Sequence, residues 1–100
     1  MRQGYVPDAG DIVWQAGRRP ALVLSPSTYN GRTGLLVCCP LTTQIKNYPF
    51  EVQLGGEPAS AVLCDQVKSL DWRARQIARK GTVSSEQLAQ VRAKLHALIG

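Results

Sequence analysis

Three short stretches hold the side chains best suited to chemistry: Arg18-Arg19-Pro20, Leu41-Thr42-Thr43-Gln44 and Cys64-Asp65-Gln66-Val67-Lys68. Other cations are grouped as well. Lys46 lies close to Tyr48, and Arg73, Arg75, Arg79 and Lys80 fall within one short segment. Clusters of this kind hold phosphates. The usual catalytic patterns are missing from the sequence: there is no phosphate-binding glycine loop, no His-Glu-x-x-His, and no elbow serine with a partner among histidines, since His96 is the single one. Seven scattered acids do not make a two-metal carboxylate cage, and Cys38-Cys39 has no ligand spacing. Chemistry on a phosphate is therefore expected to need no metal and no other cofactor.

These residues must be positioned by short strands. Asp11–Trp14 and Ala21–Leu24 are apolar runs rich in strand formers, joined by a glycine-containing link of hairpin length. Gly34–Cys39 is a continuous apolar run ended by Pro40, and Phe50–Leu54 alternates apolar with polar residues. Beyond the turn signal Gly55-Gly56-Glu57-Pro58, Ser60–Cys64 and Gln66–Leu70 keep a strand-like pattern, for five or six strands in all. Ser25–Gly31, with hydroxyls and a proline at its start and a glycine at its end, predicts one helical turn. A second short helix is expected over Arg73–Lys80. The clearest element is C-terminal: Ser84 and Gln87 form a capping box, and Leu88, Val91, Leu95 and Leu98 recur at helical spacing, predicting a helix over Ser85–Ile99 that covers a sheet face or barrel end. Close-set strands without long crossover helices predict a mainly β chain with helices (α+β), folded as a small antiparallel barrel. A small barrel has little interior to spare, so function is expected on loops and outer grooves.

One hundred residues of 10.9 kDa make one domain, spanning 1–100. A chain of this size buries roughly two thirds of its unfolded surface, enough for one core. The charge is +5, from twelve bases and seven acids. No apolar stretch reaches the roughly 20 residues of a membrane span and no signal core stands at the N-terminus, so a soluble, cytoplasmic protein without membrane contact is expected. Cys38, Cys39 and Cys64 cannot all pair within the chain and are expected to be reduced packing residues.

Taken in order, Tyr5-Val-Pro-Asp, Gly10-Asp11-Ile-Val-Trp14, Arg19-Pro20-Ala-Leu-Val-Leu-Ser-Pro26, Pro40-Leu-Thr-Thr-Gln44, Asp65-Gln-Val-Lys68 and Lys80-Gly81-Thr82-Val83 resemble the MazF/PemK toxins from about Tyr5 to Gly100. The resemblance implies an SH3-like barrel of the CcdB/MazF type with a C-terminal helix. It also implies a homodimer and a sequence-specific, metal-independent endoribonuclease of a toxin–antitoxin system, silenced by a cognate MazE-like antitoxin. Single-stranded RNA carries its own nucleophile, the ribose 2′-hydroxyl, so such a protein need only align the attack, offset charge and help protons move.

The resemblance places the catalytic pair on Arg19 and Thr42. A guanidinium can grip a phosphate through two parallel hydrogen bonds, and its high pKa makes electrostatic stabilisation its natural role. By local pattern alone, Arg-Pro also suits a strand entry and the two threonines also suit a strand. Asp65 lies in an Asp-Gln motif that one branch of the family uses as a base with an arginine two residues earlier. Here that position is Leu63, which favours an orienting or structural role for Asp65. Arg18, Gln44, Lys46, Tyr48, Gln66 and Lys68 are expected to hold RNA through phosphates, base edges and stacking. Trp14 and Trp72 could stack on bases, although tryptophan in a small barrel more often serves core or interface.

Relatives usually carry a longer loop between the first two strands, where this chain has Gln15-Ala16-Gly17-Arg18. Two other readings compete. The CcdB-type toxins share the implied barrel and poison gyrase, but this chain lacks their terminal tryptophan-containing segment and has the Arg-Pro and Thr-Thr-Gln matches. An RNA-binding module without cleavage would bind with a steep salt dependence and leave RNA whole.

Overall fold

A computed structural model describes residues 4–15 and 19–100. In chain order the elements are β1 (Asp11–Gln15), β2 (Ala21–Val23), α1 (Ser27–Thr33), β3 (Leu35–Thr42), β4 (Glu51–Gly55), β5 (Ser60–Leu63), β6 (Lys68–Asp71), β7 (Ile77–Thr82) and α2 (Ser85–Ile99). All pairings are antiparallel, in the order β4-β5-β3-β2-β1-β7, with β6 also on β3.

The strand β3 organises the sheet. Leu35–Cys38 pair with β6, Cys38–Pro40 with β2, and Leu41–Thr42 with β5, so one strand serves two differently directed parts of the sheet. Its continuous apolar run reflects burial on both faces. Leu36 and Cys38 enter one core cluster, with Val13, Val23, Leu70 and Trp72. Cys39 and Leu41 enter the other, with Leu22, Val52, Val62 and Cys64, and with Val91 and Leu95 of α2. Successive side chains of a strand point to opposite faces, so the Cys38-Cys39 dipeptide spans both clusters. All three cysteines are buried and free, as expected of packing residues.

The sheet is mainly antiparallel and carries the expected C-terminal helix, but it does not close into a barrel: β4 and β7 remain edges. The helix α2 follows β7 in the chain and packs against β4, where Gln87 Nε2 donates to the Leu54 carbonyl at 3.4 Å. The capping box is present in both directions, Gln87 N–H to Ser84 Oγ at 3.1 Å and Ser84 N–H to Gln87 Oε1 at 3.0 Å.

Three local expectations are corrected. The segment Arg73–Lys80 is not a helix. Asp71 accepts from Ala74 N–H in a turn, and Ile77–Thr82 pair along β1. Ladder pairing outweighs a weak helical pattern, and the cations Arg79 and Lys80 suit an edge strand. The strand-like run at Gln66 is interrupted: Cys64–Gln66 form a 3₁₀ turn, and β6 starts at Lys68. The helix predicted to stop at Gly31 runs on to Thr33 and ends at Gly34, whose φ of 76° supplies the left-handed stop. Its N-terminal amide at Ser27 is capped from a distance by Asp8 Oδ1 at 2.8 Å, a contact no local pattern shows.

Candidate active site

The strand register explains how Arg19 and Thr42 meet. Ala21 lies opposite Pro40, and the Leu41 N–H donates to the Pro20 carbonyl at 2.9 Å. Two residues beyond the Ala21–Pro40 pair, that register brings Arg19 towards Thr42. Both line a cavity of about 420 Å³ whose other walls are Gln44, Lys46, Tyr48, Glu51, Leu63 and Gln66. Six of the residues singled out in the sequence thus converge on one hollow.

The hydroxyl of Thr42 has a defined orientation. Its oxygen accepts the Gln44 N–H at 3.0 Å, and among the described residues nothing accepts its proton. That proton is free for an anionic oxygen. The exposed Arg19 guanidinium lines the same cavity, so a phosphate placed between them would meet one positive charge and a neutral hydroxyl donor.

The loop from Thr43 to Phe50 has no regular structure, yet it carries Gln44, Lys46 and Tyr48. A carboxylate holds it. Glu51, only 8% exposed, accepts the Lys46 N–H at 3.0 and 3.2 Å through its two oxygens and the Asn47 N–H at 2.8 Å. Asn47 sits at φ 60°, a left-handed conformation asparagine tolerates, and its side-chain oxygen accepts from Gln53 Nε2 at 2.6 Å. Glu51 was not singled out in the sequence. Alternation in Phe50–Leu54 assigns it to the solvent side, and only the loop's return over β4 encloses it.

Asp65 does not line the cavity. Its Oδ1 accepts the Tyr48 hydroxyl at 2.6 Å, and Leu63 stands two residues before it. The hydrogen bond to Asp65, with lesser contributions from desolvation and nearby negative charge, pushes the Tyr48 phenol up to about 12. Tyr48 is thus held in its neutral form, with its hydroxyl fixed on Asp65. Lys68 lies on β6 opposite Cys38 and does not border this cavity. Arg18 and the short first-hairpin loop lie outside the described residues.

Several of the remaining motif residues are held in the scaffold. Asp11, 8% exposed, accepts the Tyr5 hydroxyl at 2.6 Å and the Asp8 N–H at 3.0 Å and faces Arg79 Nε at 3.6 Å. Fully buried Asn30 donates to the Pro7 and Ser25 carbonyls at 2.8 and 2.9 Å and accepts from Ser25 Oγ at 2.6 Å. Trp72 is core, its indole N–H donating to the Asn30 carbonyl at 3.0 Å, whereas Trp14 is 44% exposed. No group of three or more potential metal ligands occurs among the described residues.

A bent antiparallel sheet with one long C-terminal helix, and with Arg19 and Thr42 lining one polar surface hollow, defines a small mainly β protein. The family is shown by comparison. Residues 5–99 match the PemK-like, MazF-like toxins of type II toxin–antitoxin systems, and the chain belongs to that family. It is 52% identical to the endoribonuclease toxin MazF of Escherichia coli K12, over the full length of both. It is 50% identical to MazF in a MazE–MazF crystal structure from Deinococcus radiodurans, with a TM-score of 0.89 over 97% of this chain and 98% of the other. An endoribonuclease from a mycobacterial species, at 21% identity, shares the fold with a TM-score of 0.83 over 96% and 93% of the two chains.

Proposed function

We propose that this chain is the toxin of a type II toxin–antitoxin pair, an endoribonuclease that cuts single-stranded RNA at specific sequences and so halts translation and growth. Family membership and the full-length likeness to endoribonuclease toxins support the activity. The observation that supports the site is the common cavity lined by Arg19 and Thr42, the latter with a hydroxyl proton that nothing among the described residues accepts.

In the proposed reaction the 2′ oxygen of the ribose loses its proton and bonds to phosphorus. The bond from phosphorus to the 5′ oxygen breaks, and that oxygen takes up a proton, leaving a 2′,3′-cyclic phosphate and a 5′-hydroxyl. Arg19 offsets the charge that grows on the non-bridging oxygens, and Thr42 donates to one of them. Gln44, Lys46, Tyr48 and Gln66 seat the neighbouring nucleotide in the first cavity. Asp65 orients Tyr48. Arg18 and Lys68 remain proposed contacts for more distant phosphates.

The partner proposed to silence the site is a MazE-like antitoxin, in line with the MazE–MazF complexes among the structural relatives. A tail folding onto this basic surface would gain from charge complementarity. The working form is proposed to be a cytoplasmic homodimer, and no helix of the described residues is long and apolar enough to cross a membrane. The gyrase-poisoning alternative is disfavoured by the endoribonuclease relatives.

The test is incubation of a long unstructured RNA with the protein in excess EDTA beside a folded Arg19→Ala variant, mapping every new end. Discrete cuts ending in cyclic phosphate, made by the parent alone, are expected. Full activity in the folded variant would overturn the assignment of Arg19.

A further inference from the structure

Arg19, Thr42 and Gln44 border a second hollow of about 630 Å³, which beyond those three is lined by wholly different residues, chief among them Trp14, Lys80 and the turn Gly55–Pro58. A scissile phosphate joins two nucleosides, and a phosphate on the Arg19–Thr42 pair would sit where the two hollows meet. We propose that the second hollow is a nucleobase subsite: one of the two nucleosides at the cut enters the first cavity, and the other stacks its base on Trp14. This rests on the ribonuclease reading above.

Trp14 is placed for it. Ile12, two residues earlier on the same face of β1, packs against the core cluster that α2 completes, whereas Trp14 is 44% exposed. Its cross-strand partner is Ala78, whose methyl group leaves the indole uncovered. A large indole left open beside a phosphate-binding arginine offers a stacking platform that any base can use. Lys80 Nζ stands 5.7 Å from the centre of the ring. An exposed cation–π contact is weak, so the ammonium can turn to an adjoining phosphate when a base covers the ring. In the same hollow, Gly55 and Gly56 adopt φ of 78° and 95°. Neither presents a side chain, which leaves turn backbone open to the edge of a base. The size lies within the roughly 300–1,000 Å³ of small-ligand sites.

The experiment uses a short RNA containing the mapped cut site and two versions of it, each lacking the base on one side of the cut. The parent, Trp14→Ala, Trp14→Leu and Trp14→Phe are compared, with circular dichroism confirming the fold of each. Loss of a stacked base is expected to lower the parent's kcat/KM roughly 5- to 100-fold at one of the two positions. Trp14→Ala and Trp14→Leu should show a similar loss on intact RNA and no further loss when that base is absent, while Trp14→Phe keeps most of the activity. Additive losses, or intact RNA cut at the parent's rate by Trp14→Ala or Trp14→Leu, would mark Trp14 as outside the substrate path and overturn the subsite alone. A parent that cuts no RNA would overturn the ribonuclease reading and the subsite with it.

Discussion

Replacing Glu51 should separate binding from chemistry. Its carboxylate makes three contacts of 2.8–3.2 Å with two backbone amides, and it is nearly enclosed. Hydrogen bonds to a charged group contribute about 1.5–3 kcal/mol each, but these amides lie near the surface, where water can partly replace the carboxylate. Glu51→Ala is therefore expected to cost about 2–3 kcal/mol, a fall of roughly 10–20 °C in Tm for a domain of this size. Glu51→Gln keeps one oxygen where Glu51 Oε1 meets both amides, and should lose only about 1 kcal/mol. The loop freed by the change carries Gln44, Lys46 and Tyr48 but neither Arg19 nor Thr42, so KM for RNA should rise about 5- to 30-fold while kcat changes little. Thermal unfolding by circular dichroism and steady-state cleavage of a fluorogenic RNA measure the two effects on the same preparations. A Glu51→Ala protein that melts with the parent and keeps its KM would falsify the view that this carboxylate holds the RNA-facing loop.

Ser84→Ala removes one half of the α2 capping box and should lower stability by about 1 kcal/mol, read from the urea midpoint, with RNA cleavage unchanged. Burial pushes the Cys39 thiol up to about 12 and the Cys64 thiol up to about 11, so thiol reagents should label neither in the native protein and both after unfolding. These raised values also set a direction with pH. The stability they contribute is complete below the ordinary thiol value of 9.0 and is lost as pH rises through about 11 and 12, so urea midpoints should fall across the alkaline range. Asp65→Asn removes the acceptor of the Tyr48 hydroxyl and should move one tyrosine's titration down from about 12 towards 10.0, followed by ultraviolet phenolate absorbance.

Most of the strands, the C-terminal helix with its capping box, and the two motifs that come to line one hollow, Arg-Pro and Thr-Thr-Gln, were legible in the sequence. These are signals written in local spacing or in several ordered motifs, and neither kind needs the chain to be folded before it can be read. Tertiary structure decided the rest. Whether the sheet closed depended on whether its two end strands, β4 and β7, met, which no single segment contains. The strand β7 was hidden because its pairing with β1 overrode the preferences of Arg73–Lys80. Glu51 was hidden for a related reason: a polar residue in an alternating strand belongs to the solvent side until a loop folds back and offers it two amides. The exposure of Trp14 and the burial of Trp72 could not be told apart by composition, because the difference lies in what packs against each ring: little for Trp14, and Asn30 with the second core cluster for Trp72. Local spacing specifies elements, whereas the meeting of distant backbone and side-chain groups specifies which residues the finished cleft can use.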